Sequence, residues 1–239
     1  MSNLYLIRHG QAGTRKAYDS LSELGRRQAR LLGQYFASQG LKFAGVYSGE
    51  LSRQLQTAEG VRTAYGEGVP GVAIDSGWNE FDLDRMYREL APQLCAADPE
   101  FRREYEAMRI QLQEDDARLA DDVNRRWLPS DSSVVSAWIS ATHRYSGETW
   151  QQFRGRVSAA QQRLSSAQRG ENIMVFTSAT PIAICTGLAL DIGDERLMKL
   201  AGVLHNASFT VLQLRNDGMR MFSFNNMPHL TSSDLRTFR

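Results

Sequence analysis

The chain alternates short, wholly apolar runs with longer segments in which apolar positions recur every three or four residues. Leu4 to Ile7 is the first such run, and its continuous hydrophobicity predicts a strand buried on both faces that ends abruptly at Arg8-His9-Gly10. From Ser20 to Ser38 the residues Leu24, Leu31, Leu32, Tyr35 and Phe36 fall at helical spacing, and Ser20-x-x-Glu23 has the form of a capping box. Gly40 punctuates. Ala44 to Tyr47 predicts a second strand, Leu51 to Tyr65 a second helix broken by Gly66 and Gly68, and Val69 to Ile74 a third strand.

Beyond Gly77-Trp78-Asn79-Glu80 the character changes. The stretch from about Asp82 to Trp127 is rich in Arg, Glu, Asp and Gln and poor in β-branched residues, which predicts two or three helices forming an inserted lobe. Trp150 to Gln168 predicts another helix. Asn172 to Thr177 is a further apolar strand, ending at Ser178-Ala179-Thr180-Pro181, where Thr180 can cap and Pro181 suits the first position of a helix from Ile182 to Leu190. Ser208 to Leu214 and Met219 to Phe224 flank Asn216-Asp217-Gly218 as a β-hairpin would. Strands alternating with helices predict a three-layer α/β/α sandwich. Its sheet is mostly parallel, with an antiparallel strand late in the chain and a helical insertion at about 82–143 inside a single domain spanning 1–239.

Composition narrows the function classes. With 28 basic and 27 acidic residues the formal charge is +1, so no whole-molecule field points to nucleic acid or an anionic membrane. The inserted lobe carries Arg85, Arg88, Arg102, Arg103, Arg109, Arg125 and Arg126, but Glu114-Asp115-Asp116 and Asp121-Asp122 offset them, which predicts a solvated helical face rather than a nucleic-acid surface. Cys95 and Cys185 lack the spacing of a zinc or redox pair. No apolar run reaches the roughly 20 residues of a membrane span, and no basic leader precedes Leu4, so a cytoplasmic location without membrane association is expected.

The candidate chemistry sits at predicted strand ends, where open α/β sheets bind ligands. Three such ends are polar: Arg8-His9, Ser48 to Arg53, and Thr177 to Thr180. Phosphoryl transfer needs an aligned nucleophile, cations around the nonbridging oxygens and a proton for the leaving group. His9 can attack through a neutral imidazole nitrogen, Arg8 and Arg53 can grip a phosphate, and Glu80 can supply the proton. The neighbouring Asp82 and Asp84 compete with Glu80 for that last role. His143, His205 and His229 lack a strand-end placement and are expected to be surface or local structure. No spacing of Asp, Glu or His calls for a metal, and no cofactor is expected.

In this order the polar blocks resemble the histidine phosphatase superfamily, which includes the cofactor-dependent phosphoglycerate mutases. Leu6-Ile7-Arg8-His9-Gly10-Gln11 is similar to its Arg-His-Gly signature, and Leu21 to Ala29 to its following helix. Ser48-Gly49-Glu50-Leu51-Ser52-Arg53 with Gln56-Thr57-Ala58 resembles its second phosphate-binding block. Asn79-Glu80-Phe81 sits where the family carries its proton donor, and Gly147-Glu148-Thr149 with Phe153 and Arg156 is similar to its Gly-Glu-Ser helix. The Arg-His-Gly triplet alone would say little; five blocks in family order say much.

The resemblance implies a two-step, metal-independent phosphatase reaction. His9 becomes a phosphohistidine, Glu80 protonates the leaving group and then helps activate water, and Arg8 and Arg53 bind the phosphate. It implies a small phosphorylated substrate or a phosphoprotein as partner. The sequence departs from the family at one place, reading Ser178 where a second histidine is usual. A hydroxyl gives a neutral bond of about 0.5–1.5 kcal/mol where an imidazolium gives about 1.5–3. Ser178, with Thr177 or Thr180, is expected to donate to a phosphate oxygen, and a Ser178→His variant to retain or raise activity. Two other readings share these residues: a phosphoglycerate mutase, and a catalytically impaired phosphate-binding or scaffold protein. The lobe that follows Glu80 would serve as a lid selecting substrates.

Overall fold

The computed structural model describes residues 2–13, 19–114, 129–164 and 170–238. The structural statements below concern these residues. The chain divides into two compact units, Met1–Glu80 with Arg156–Arg239, and Phe81–Gly155.

In the first unit, β1 (Ser2–Arg8), β2 (Gly45–Ser48), β3 (Val72–Ile74), β4 (Asn172–Thr177), β5 (Phe209–Arg215) and β6 (Gly218–Asn226) form one sheet in the order β3-β2-β4-β1-β5-β6. β3, β2, β4 and β1 run parallel, while β5 is antiparallel to both β1 and β6. This is the mixed α/β sandwich that the alternation predicts. β1 and β4 lie at its centre, in register from Asn3 opposite Asn172 to Arg8 opposite Thr177. Their apolar runs are buried on both faces, which is why neither shows the alternation of a half-exposed strand. Their polar ends therefore emerge side by side.

Helices α1 (Glu23–Ser38) and α2 (Ser52–Tyr65) pack against each other and the sheet. Between them Tyr5, Phe36, Phe43 and Phe209 form an aromatic cluster, with ring centroids 5.3 Å apart for Tyr5 and Phe43 and 5.2 Å for Phe36 and Phe209. Such edge-to-face pairs contribute about 0.5–1.5 kcal/mol each beyond the area they bury. The cap of α1 is Ser22, whose hydroxyl accepts from the Gly25 amide at 3.0 Å, and not Ser20 as the capping-box pattern predicts. The reason is tertiary: Ser22 is also held by Gln11, through its amide to the Gln11 carbonyl and its hydroxyl to the Gln11 side chain.

The helix after β4 also begins earlier than predicted. α7 (Ala179–Leu190) has Ser178 at its N-cap, so Thr180 and Pro181 lie inside its first turn. Proline is tolerated there because first-turn amides have no acceptor within the helix. Thr180 does not cap; its own amide is satisfied by the Glu80 carboxylate at 3.1 Å. α8 (Asp194–Ala201) follows and has no counterpart in the sequence reading. His229, expected at the surface or in local structure, is instead buried against distant elements, with its ring centroid 6.2 Å from that of Tyr35 in α1 and 6.4 Å from that of Phe209 in β5.

The second unit holds α3 (Leu83–Ala97), α4 (Pro99–Glu114) and α5 (Pro129–Ser140), and α6 (Trp150–Leu164) begins in it. Asp82 caps α3 by accepting from the Arg85 amide at 2.8 Å. Phe81, Trp138, Trp150 and Phe153 make its aromatic core, with Trp138 5.1 Å from Phe81 and 5.4 Å from Trp150. α5 is hidden in the sequence by its opening Pro129-Ser130-Asp131-Ser132-Ser133, a loop-like string. Burial of Val134, Val135 and Trp138 overrides that weak local preference. Residues 115–128, which carry Asp121-Asp122 and Arg125-Arg126, lie outside the described residues, as does the predicted continuation of α6 to Gln168. No helix among the described residues is long and apolar enough to cross a membrane.

Candidate active site

His9 follows directly on β1, and its backbone is fixed from both sides of the strand. Its amide donates to the Thr177 carbonyl of β4 at 2.9 Å, and its carbonyl accepts from the Ala207 amide at 3.1 Å and the Asn206 side chain at 3.2 Å. The next residue must be glycine for a packing reason. A Cβ on Gly10 would stand 2.6 Å from the Gly25 carbonyl oxygen, and one on Gly25 would collide with the Gln11 backbone, so the first turn of α1 presses directly on the chain leaving β1. The Gly10 amide then donates to Thr57 of α2 at 3.0 Å, and Thr57 donates to the Arg53 carbonyl at 2.6 Å. Strand end and helix start are thereby locked together.

The imidazole itself is 2% exposed. Its Nδ1 faces the Gly10 carbonyl at 2.8 Å, and since a carbonyl only accepts, Nδ1 carries the ring hydrogen. Nε2 is left with its lone pair, towards which Arg53 Nε donates at 3.3 Å. Burial holds the His9 pKa well below the ordinary histidine value, and the charges of Arg53 and then Arg8 push it the same way. The ring is therefore neutral at pH 7, the state a nucleophilic nitrogen requires.

Arg53 lies in the first turn of α2 and is 7% exposed. Its Nη1 pairs with Asp19 Oδ1 at 3.0 Å, while Asp19 Oδ2 accepts from the Ser52 amide at 3.2 Å. A carboxylate thus sits where a guanidinium and a helix N-terminus meet, a position that suits an anion. Asp19 was not singled out from the sequence, because its pairing spans 34 residues. Arg8 is directed differently. Its Nη1 donates to the Leu204 carbonyl and its Nη2 to the Phe238 carbonyl at 2.7 Å. The carboxyl-terminal stretch that fixes it is itself anchored, with the Thr237 hydroxyl accepting from Gln28 at 3.0 Å and donating to Asn206 at 2.9 Å.

Glu80 stands at the start of α7 through its bond to the Thr180 amide. Its loop is tied on two sides. Asn79 accepts from the Glu50 amide at 2.7 Å, and Arg156 Nη1 donates to the carbonyls of Asn79 at 2.8 Å and Gly77 at 3.2 Å. Arg156, noticed in the sequence only as part of a block, is a buttress for the Glu80 loop. Ser178 is 1% exposed and accepts from the Gln54 side chain at 2.9 Å. Thr177, weighed as its companion, donates to the Trp78 carbonyl at 2.6 Å. His205 lies against the Phe238 ring, with centroids 4.0 Å apart. Among the described residues, no three His, Cys, Asp or Glu side chains cluster as a metal site would.

Residues 4–130 and 127–227 match the sequence profile of the histidine phosphatase superfamily (branch 1), and the chain belongs to that family. It is 26% identical over 224 residues to a bifunctional protein of Mycobacterium tuberculosis, a match covering 91% of this chain and 51% of that protein. The chain thus spans about half the length of that curated relative. Two solved structures share the fold. A mycobacterial glucosyl-3-phosphoglycerate phosphatase, solved with inorganic phosphate, has a TM-score of 0.62 and 17% identity, covering 96% of this chain and 99% of that one. A mutant phosphoserine phosphatase from Entamoeba histolytica, in complex with phosphoserine, has a TM-score of 0.59 and 17% identity over 96% of this chain and 100% of that one.

Proposed function

We propose that this protein is a phosphatase that hydrolyses phosphomonoesters through a phosphohistidine on His9. The observation that carries the reading is the buried neutral ring, with its Nδ1 hydrogen given to a carbonyl and its Nε2 lone pair 3.3 Å from the Arg53 guanidinium. Nucleophile and cation converge on one point.

In this scheme Nε2 attacks phosphorus as the ester P–O bond breaks, and the departing alkoxide takes a proton from Glu80. Arg53 and the α2 N-terminus bind the transferring oxygens, and Arg8 adds its charge from a position fixed by the Leu204 and Phe238 carbonyls. Ser178 donates its hydroxyl hydrogen to a phosphate oxygen. Glu80 then accepts a proton from water, which attacks the phosphohistidine and releases inorganic phosphate with His9 neutral again. The scheme uses no metal ion.

The test is a single-turnover incubation with a labelled aryl phosphate. Wild-type protein should form an acid-labile phosphoenzyme that decays to phosphate, and His9→Ala should form none. Turnover without such an intermediate, or label on another residue, would overturn the reading. Phosphate binding with neither label nor turnover would favour a phosphate-binding or scaffold role.

A further inference from the structure

The histidine expected at residue 178 is replaced by more than a serine. Ser178 is 1% exposed, and the residue beside it is Gln54, which reaches in from α2 and is 0% exposed. The Gln54 amide nitrogen donates to Ser178 Oγ at 2.9 Å and to the Trp78 carbonyl at 3.2 Å. Both of its hydrogens are committed. Ser178 is the N-cap residue of α7, yet its side chain makes no capping bond to the helix. A hydroxyl that accepts from an amide keeps its own hydrogen to give.

Two further features show that this arrangement is costly and sterically specified. Among the described residues, Gln54 Oε1 has no hydrogen-bond partner, an expense of burial that native proteins usually avoid away from functional sites. A Cβ at residue 49 would collide with that same oxygen, so Gly49 leaves the room the amide occupies. The volume next to Ser178 is therefore filled by the end of Gln54.

We infer that Gln54 is a positioning residue: by occupying the acceptor side of Ser178 it turns the hydroxyl into a one-way donor towards the phosphate, and the Gln54–Ser178 pair takes the place of an imidazole. The inference rests on the phosphoryl-transfer reading at His9. It also leads to a different expectation for Ser178→His. A ring on the same Cβ needs the space that the Gln54 amide fills, so that single substitution should impair the site, and adding Gln54→Ala should relieve it.

The experiment is a double-mutant cycle read as the inhibition constant of inorganic phosphate, with KM and kcat for an aryl phosphate and the melting temperature measured in parallel. Ser178→Ala and Gln54→Leu should each weaken phosphate binding about 3- to 10-fold. The double variant should be no weaker than Ser178→Ala alone. Multiplying effects would mean that Gln54 acts only through packing and would overturn the inference. Gln54→Met, unbranched and of similar length, serves the same cycle should the leucine variant fail to fold. In the second arm, Ser178→His alone should bind phosphate more weakly than Gln54→Ala/Ser178→His; equal binding by the two would also overturn it. The labelling of wild-type His9 is read separately. A labelled wild type with multiplying effects defeats only the Gln54 role, whereas an unlabelled wild type defeats the reading beneath it.

Discussion

The ends of β1 and β4 are neighbours in register, yet they prepare opposite kinds of chemistry. At the end of β1 a ring is held by one carbonyl and an arginine, and burial keeps it uncharged, so that the reactivity proposed for it comes from what it lacks, a proton. At the end of β4 a hydroxyl is held by an amide and is neutral by constitution. The first end depends on electrostatics. The second depends on hydrogen-bond direction. Charge-based control is steep, because a guanidinium in a dry site is worth several kilocalories, while a neutral donor is worth about one.

That contrast sets the order of expected effects. Arg53→Ala removes the cation facing His9 Nε2 and should lower kcat/KM about 100- to 1000-fold, measured with an aryl phosphate. A loss no greater than that of Ser178→Ala would erase the distinction between the two ends.

Acid should next separate activity from stability. The depressed pKa of His9 means that protonation of its Nε2 begins only well below pH 6.5, so the acid limb of kcat/KM belonging to His9 should lie below that value. Stability is lost in the same direction, but the loss begins at a higher pH. A buried neutral histidine folds without the proton that the unfolded chain takes up, so the unfolded state binds more protons as pH falls below about 6.5. His229, pushed down to about 4 by burial, adds to the same loss between pH 6.5 and about 4. His229→Phe should flatten this decline by up to about 3 kcal/mol in urea unfolding across that window. An unchanged slope would mean that the ring is solvated when folded.

Asp19→Asn should have the smallest effect. Removing a half-exposed carboxylate from Arg53 lifts its competition with phosphate, and the inhibition constant of inorganic phosphate should fall severalfold. Weaker binding would instead identify Asp19 as the group that orients Arg53.

The legible part of the site is the part built from contiguous letters. Arg8-His9-Gly10 ends an apolar run, and a run buried on both faces announces itself without any knowledge of its neighbours. Arg53 was readable because it opens a periodic segment directly after a strand. Gln54, one residue on, was not, since nothing local says that its amide meets a residue 124 positions away. The misplaced caps have the same origin. Ser20 and Ser22 offer similar chemistry, and only the contact of Ser22 with Gln11 chooses between them.

By itself, then, the sequence determined the alternation of elements and the central pair of buried strands, because each follows from periodicity within a few residues, and the polar end of the first strand marked His9 as the candidate nucleophile. Tertiary structure decided which groups face that nucleophile. It turned two Arg8 donors to backbone carbonyls, gave Arg53 a carboxylate partner and set an amide against Ser178. Hydrogen bonds of fixed direction between distant segments cannot be read from spacing, since they exist only once the sheet has brought those segments within 3 Å or so of one another.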